Sequence, residues 1–246
     1  MYSKSLLNFY QSVKEKLKTL KLKLFIPLLF ISLKIVAQRP ATGAWFSLQL
    51  PVQLNHKWQI HNDAGYRTLG NNIAALQYLY RPGIRYTLSK HWNTAAGVAF
   101  FFSRTSFNKQ NNEFGKEFRF WQEVNYKTDV AKNLQWLTRV RIEQRSYAAT
   151  STKLPYHAFR YRLRTQLQEK LSDKWALILA DEYMQQYAFT KWNFDQNRLI
   201  VNAVYSFNKT TQLQTGYMWL RWPANSSQHI LTVSFQKNIS LHAKQS

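Results

Sequence analysis

Residues 134–145, Leu134-Gln-Trp-Leu-Thr-Arg-Val-Arg-Ile-Glu-Gln-Arg145, and residues 159–168, Phe159-Arg-Tyr-Arg-Leu-Arg-Thr-Gln-Leu-Gln168, decide the fold of this chain. In the first, Leu134, Trp136, Thr138, Val140 and Ile142 alternate with Gln135, Arg139, Arg141, Glu143 and Arg145. In the second, Phe159, Tyr161, Leu163, Thr165 and Leu167 alternate with Arg160, Arg162, Arg164, Gln166 and Gln168. Successive side chains of a strand point to opposite faces, so each stretch has one apolar and one strongly basic face. Helical spacing would mix the two sets.

The same alternation runs outward in both directions. It separates Phe118, Phe120, Val124 and Tyr126 from Arg119, Glu123, Asn125 and Lys127, and Tyr78, Tyr80, Ile84 and Tyr86 from Gln77, Arg81, Gly83 and Arg85. Between strands a short device recurs: Leu54-Asn-His-Lys-Trp58, Leu88-Ser-Lys-His-Trp92 and Leu171-Ser-Asp-Lys-Trp175, with looser copies at Val130-Ala-Lys-Asn-Leu134 and Phe207-Asn-Lys-Thr-Thr211. Longer polar connections are expected near 68–75, 104–116, 148–156, 188–193 and 223–227. Short turns on one side and longer loops on the other predict an up-and-down meander of antiparallel hairpins. Eleven strands are expected, near 44–52, 58–67, 76–88, 92–103, 117–128, 134–147, 157–170, 175–187, 194–207, 211–222 and 228–238. Single-chain bacterial barrels have even strand numbers. The segment 44–52 is therefore the extra one, which can pair at the seam, add to a twelve-strand closure, or sit inside.

Alternation does not say which face is wet, but strand length and charge do. Soluble strands average about 5–6 residues, whereas crossing a membrane at a tilt takes about 9–11. The expected strands match the second figure. Trp58, Trp92, Trp136 and Trp175 stand at strand ends beside turns, where interfacial aromatic girdles belong. Were Arg160, Arg162 and Arg164 to face lipid, each would cost about 2–4 kcal/mol near the midplane. The Arg face must turn inward. The fold class expected is all-β: an antiparallel up-and-down transmembrane β-barrel of 10–12 strands. A secreted soluble barrel is the alternative.

Composition agrees. The 246 residues hold 16% aromatics, only seven Gly and no Cys, which favours aromatic-rich β structure and excludes disulfide scaffolds, thiol catalysis and thiolate metal sites. Residues 1–37 read as a signal peptide: six lysines up to Lys23, an apolar stretch from Leu24 to Leu33, then Lys34-Ile-Val-Ala37 before Gln38. Cleavage is expected after Ala37, leaving 38–246 as the barrel. The apolar stretch would make about 15 Å of helix, too short to span. Its removal takes seven Lys and one Glu from 34 Lys+Arg and 12 Asp+Glu, leaving 27 against 11 and a net charge of +16. The basicity thus belongs to the folded domain. Nucleic acid is not the expected partner, because single-strand binders put aromatics and cations on one exposed surface and this chain separates them.

The basic leader ending at Ala37-Gln38, the early Ala44-Trp-Phe46, the turn-plus-Trp repeats, Arg67 and the paired Arg-rich strands together resemble the domain of unknown function 2490 family, outer-membrane β-barrel proteins of Gram-negative bacteria common in Bacteroidetes. The resemblance implies an outer-membrane location and a barrel fold, and it brings no catalytic residues. It implies contact with outer-membrane lipid and insertion by the barrel-assembly machinery. One departure is that Phe235 is followed by eleven more residues, where such barrels commonly end on an aromatic.

The inward face is expected to carry Arg67, Arg81, Arg85, Arg119, Arg139, Arg141, Arg145, Arg160, Arg162, Arg164 and Arg198, with Asp63, Glu117, Glu123, Glu143 and Glu182 as partners. Two readings stand: an Arg–carboxylate network that replaces an apolar core, or a site for a small anionic ligand, since Arg forks bind phosphate and carboxylate bidentately. A narrow anion-preferring pore is an alternative. A lipid-modifying enzyme is a further one, with His61 and Asp63 two residues apart on the expected inner face and His157 and His229 near loop ends. No Ser stands in a recognisable nucleophile context, and no phosphate loop or metal-ligand pattern occurs. No catalytic residue, metal or cofactor is expected.

Overall fold

The computed structural model describes residues 41–70, 74–105, 113–224 and 226–241. The signal peptide expected at 1–37 lies outside the described residues. The described chain is a closed barrel of eleven staves. We number them β1, Ala41–Gln49 continued by Val52–Gln53; β2, Trp58–His61 and Asp63–Thr68; β3, Ala75–Tyr80 and Gly83–Thr87; β4, Trp92–Arg104; β5, Phe114–Ala131; β6, Leu134–Tyr147; β7, Tyr156–Lys170; β8, Trp175–Ala188; β9, Lys191–Ser206; β10, Thr211–Arg221; and β11, Ser227–Lys237, extended by Ile239–Ser240. Each stave pairs antiparallel with its sequence neighbours.

Of the three places open to the extra segment, the structure shows pairing at the seam, and there the pairing is parallel. β1 lies parallel to β11, from Ala41 opposite Gln228 to Gln49 opposite Gln236. An odd count forces this: consecutive strands alternate direction, so the first and eleventh run the same way. The extra segment thus pairs at the seam, and across it Ser47 Oγ and Ser234 Oγ lie 2.9 Å apart.

The recurring device makes one kind of turn four times over. The backbone N–H of Leu54, Leu88, Leu171 and Phe207 donates to the carbonyl four residues on, at 2.9–3.0 Å. Inside each turn a short polar side chain takes the freed N–H groups: Asn55 Oδ1 accepts from Lys57 and Trp58, Ser89 Oγ from His91 and Trp92, Ser172 Oγ from Lys174 and Trp175, and Asn208 Oδ1 from Thr210 and Thr211. Asn and Ser favour turns because they can bond their own following backbone. The fifth copy is tighter, joining Ala131 to Leu134 across Lys132 and Asn133.

The connection expected at 188–193 is corrected. Ala188 pairs directly with Lys191, and Phe189 and Thr190 form a two-residue turn with φ of 52° and 69°. Two consecutive positive φ values belong to the mirror-image hairpin turn that matches strand twist. Phe and Thr give no sequence signal for it, since Asn-Gly pairs are the usual occupants.

The barrel is apolar outside and polar within. Phe100, Phe118, Phe120, Ile142, Phe159, Leu163, Leu179, Leu199, Val201 and Leu231 are all exposed on the outer face. A contiguous apolar belt of that extent suits hydrocarbon rather than water. The belt is interrupted at mid-stave by Asp181, whose Oδ1 accepts from Asn197 Nδ2 at 2.7 Å. Trp58, Trp92, Trp136 and Trp175 are exposed at the short-turn ends, 40–49% accessible. Among the described residues no helix is long and apolar enough to cross a membrane, which says nothing of a barrel.

Inside, two apolar clusters flank a polar middle. Ile178, Ala180, Ile200, Val204, Met218 and Ile230 form one. Leu79, Ala95, Ala99, Phe101 and Trp121 form the other. Trp121 fits because Gly83 and Gly97 face each other across β3 and β4; a Cβ on Gly83 would lie 2.5 Å from the indole, and one on Gly97 2.6 Å from it. Its Nε1 donates to the Val98 carbonyl at 3.0 Å.

Candidate functional site

The lumen is built from the odd positions of β5 and β6 and the even positions of β7, β8 and β9. Register brings like charges face to face: Arg141 lies opposite Arg162, and Arg139 opposite Arg164. Such pairs repel unless counter-charges reach between them. Four glutamates do so. Glu143 is the hub: it accepts from Arg162 Nη1 at 2.6 Å, Arg160 Nε at 2.9 Å and Arg119 Nη1 at 3.3 Å. Glu182 accepts from Arg139 at 2.5 Å, Arg162 Nη2 at 2.7 Å and Arg198 at 3.4 Å. Glu123 takes both Nε and Nη2 of Arg141. Glu117 takes Arg119 through two bonds, at 2.6 and 2.8 Å, and Arg145 Nε at 2.6 Å. All four glutamates are buried. Charge-assisted bonds of this kind are the strong ones, and burial removes the water that would compete with them.

A sixth carboxylate went unread in the sequence. Asp195 accepts from Arg160 Nη1 at 3.1 Å. Strict alternation from Arg198 would put it on the lipid face, but β9 carries a bulge: Met184 pairs with Gln196 and the next residue, Gln185, with Phe194. The extra residue re-aims Asp195 inward. The available signal was an Asp where alternation demanded an apolar residue. Phe101 was missed as well; it is buried beneath the Arg119 guanidinium, 3.6 Å from ring centre to Cζ.

Aromatic faces seat other cations. Arg67 lies 3.7 Å and Arg198 5.0 Å from the Trp45 ring centre, and Arg141 4.6 Å from that of Trp121. Arg81 is bonded to Asp63. Arg85 approaches Glu123 at 3.7 Å. Among the described residues two guanidiniums hydrogen-bond to amides and to no carboxylate: Arg67 donates to Gln77 at 2.7 Å, and Arg164 to Gln166 at 2.7 Å. Among the described residues the lumen holds eleven Arg and six carboxylates.

The network divides the bore. A cavity of about 340 Å³ lies toward the short turns, reaching Gln49, Asn125 and Gln214, and one of about 320 Å³ lies toward the loops, reaching Ser103, Tyr147 and Gln186. Arg67, Arg81, Arg162 and Arg198 line both, so they form the layer between them.

The histidines are scattered. His61 stands in the first cavity with Asp63. On the outer face, Ser146 Oγ and His157 Nδ1 lie 3.0 Å apart, and Tyr217 bonds His229. Neither outer pair is joined by a carboxylate among the bonds of the described residues, so the orienting third member of a hydrolytic triad is missing there. Among the described residues no three His, Cys, Asp or Glu side chains converge as metal ligands.

Outside the spanning segments, Glu113 precedes β5 and bonds Ser151 across the loops, accepting from its backbone N–H at 3.0 Å and its hydroxyl at 2.5 Å. These bonds hold its carboxyl below the usual carboxylate range.

Comparison with known proteins gave a family match over most of the chain: the description "Protein of unknown function (DUF2490)" fits residues 42–229. Among solved structures, the NanC porin is similar at 10% identity with a TM-score of 0.48, over 76% of this chain and 92% of that one. A loop-deletion mutant of OmpT, an outer membrane protein of Vibrio cholerae, is similar at 13% identity with a TM-score of 0.44, over 70% of this chain and 56% of that one. No curated protein matches in sequence.

Proposed function

The chain belongs to the DUF2490 family, and from that premise we propose that it is an integral outer-membrane β-barrel protein whose closed, cationic lumen binds a small anionic ligand. The observation that carries the reading is the surplus of guanidinium over carboxylate inside a bore already crossed by its own ion-paired layer. A purely structural network would balance its charges, because each uncompensated buried charge is destabilising. The layer supports binding over free passage: around eight strands a barrel just closes over side chains, and eleven leave little more. Export by residues 1–37, insertion by the barrel-assembly machinery and contact of the apolar belt with outer-membrane lipid complete the proposal.

Planar-bilayer recording tests it. The expected result is silence or very small conductance; a large, steady conductance would replace binding with transport. A narrow anion-preferring pore is the second reading, favoured by the four arginines that border both cavities. It requires a small current that reverses toward the anion potential in a salt gradient.

A further inference from the structure

We infer that the cavity on the short-turn side of the ionic layer is a phosphate site, with Arg67, Arg164 and Arg198 as its principal cationic walls. The inference rests on the anion-binding reading above and names the ligand's chemistry.

The first argument is charge. Eight arginines line this cavity against Asp63, Glu123 and Glu182. The two glutamates are already engaged by Arg141 and by Arg139 and Arg162. Arg67 and Arg164 meet no carboxylate within ion-pair range among the described residues, so their charges are compensated only by amide oxygens and, for Arg67, the face of Trp45.

The second is hydrogen-bonding capacity. Among the described residues, five buried donors that line the cavity have no protein acceptor: Trp45 Nε1 and the Nε of Arg81, Arg85, Arg139 and Arg198. Arg198 is buried at 8% exposure. Buried polar groups are nearly always bonded, and a concentration of exceptions in one place asks for an explanation. One acceptor, Asp63 Oδ1, is likewise without a donor. A ligand that satisfies these groups together offers several acceptors and one donor.

The third is shape. The free donors come from β1, from β3 and the break between its two segments, and from β6 and β9, on different walls of the bore. A carboxylate offers two oxygens in one plane, whereas tetrahedral monohydrogen phosphate offers three acceptor oxygens in divergent directions, two negative charges near neutral pH, and a single P–OH suited to Asp63 Oδ1. The volume of about 340 Å³ is at the small end of ligand sites, about 300–1,000 Å³. It accommodates phosphate alone or on a short organic group.

The test uses the full barrel in detergent at low ionic strength, titrated calorimetrically with inorganic phosphate, glycerol 3-phosphate, succinate and acetate. Phosphate is expected to bind, and Arg164→Gln and Arg67→Gln each to weaken it roughly tenfold. Retained heat-modifiable mobility controls for folding, and Arg67→Lys, which keeps the charge, should recover part of the loss. Glycerol 3-phosphate binding as tightly as phosphate assigns an ester-borne group; weaker binding assigns the free ion. Succinate or acetate binding as well as phosphate, or phosphate binding indifferent to both Gln variants, overturns the phosphate site and leaves the anion-binding lumen standing. Failure of every anion to bind removes both.

Discussion

Arg162 faces Arg141 directly across the β6–β7 ladder, yet its guanidinium bridges two carboxylates on either side, Glu143 on β6 and Glu182 on β8, at 2.6 and 2.7 Å. The repulsion set up by register is thus relieved diagonally, and Arg162 joins two halves of the network. Replacing it by Leu should destabilise the barrel by about 3–5 kcal/mol, the effect of breaking a buried pair. The measurement is the temperature at which heat-modifiable gel mobility is lost. Arg164→Leu, with no carboxylate to strand, should shift that temperature much less. A stabilised Arg162→Leu barrel would mean that the basic face meets lipid.

Glu143→Gln makes the complementary test. Arg119, Arg160 and Arg162 all donate to this carboxylate, so the amide leaves three like charges without their common counter-ion. A loss of about 3–5 kcal/mol is again expected, and it should exceed that of Gln144→Glu, a control on the opposite face of the same strand near its loop end.

Gly97→Val probes packing rather than charge. A Cβ there would meet both the Pro82 carbonyl and the Trp121 ring, and the carbonyl belongs to backbone that has no rotamer to yield. Overpacking of this kind costs about 1–3 kcal/mol or more. The yield of heat-modifiable barrel on refolding should fall sharply, and Trp121→Leu should restore it only in part, since the carbonyl contact stays.

The parallel seam is open to direct test by cross-linking. Because the chain lacks cysteine, the pair Ser47→Cys and Ser234→Cys would be its only thiols. Their positions are directly paired, with hydroxyls 2.9 Å apart, within the reach of a disulfide between neighbouring strands. Oxidation should give a band of altered mobility before heating and after unfolding. Its absence would place residues 41–49 elsewhere and reduce the barrel to ten staves.

The odd stave count also separates the two ends of the domain. Ala41 starts beside Gln228 at the loop end, whereas Lys237 stands beside Thr211 at the short-turn end. With short turns in the periplasm, an epitope placed between Gln38 and Ala41 should be detected on intact cells, and one after Lys237 only after permeabilisation. Added protease should cut the 148–155 loop and spare the turn at 171–174. Mass spectrometry of the extracted protein should show Gln38 at its N-terminus; an intact Met1 would remove the export step.

The sequence by itself determined the staves, the four copied turns and the sidedness, because strand periodicity is local: two residues apart is enough to sort Arg160, Arg162 and Arg164 from Phe159, Tyr161 and Leu163. The carboxylates that meet the arginines were legible as residues of the same face, but not as partners. Only the tertiary structure decided that Glu143 serves three arginines, that Glu182 reaches Arg139 across an intervening stave, and that Asp195 turns inward. Those facts depend on register and on one bulge, and a single inserted residue reverses every orientation that alternation assigns beyond it. Closure was likewise beyond local reading. Whether residues 41–49 pair with β11 is settled by contacts between opposite ends of the chain, where parity makes the seam parallel and only folding in three dimensions brings the two strands together.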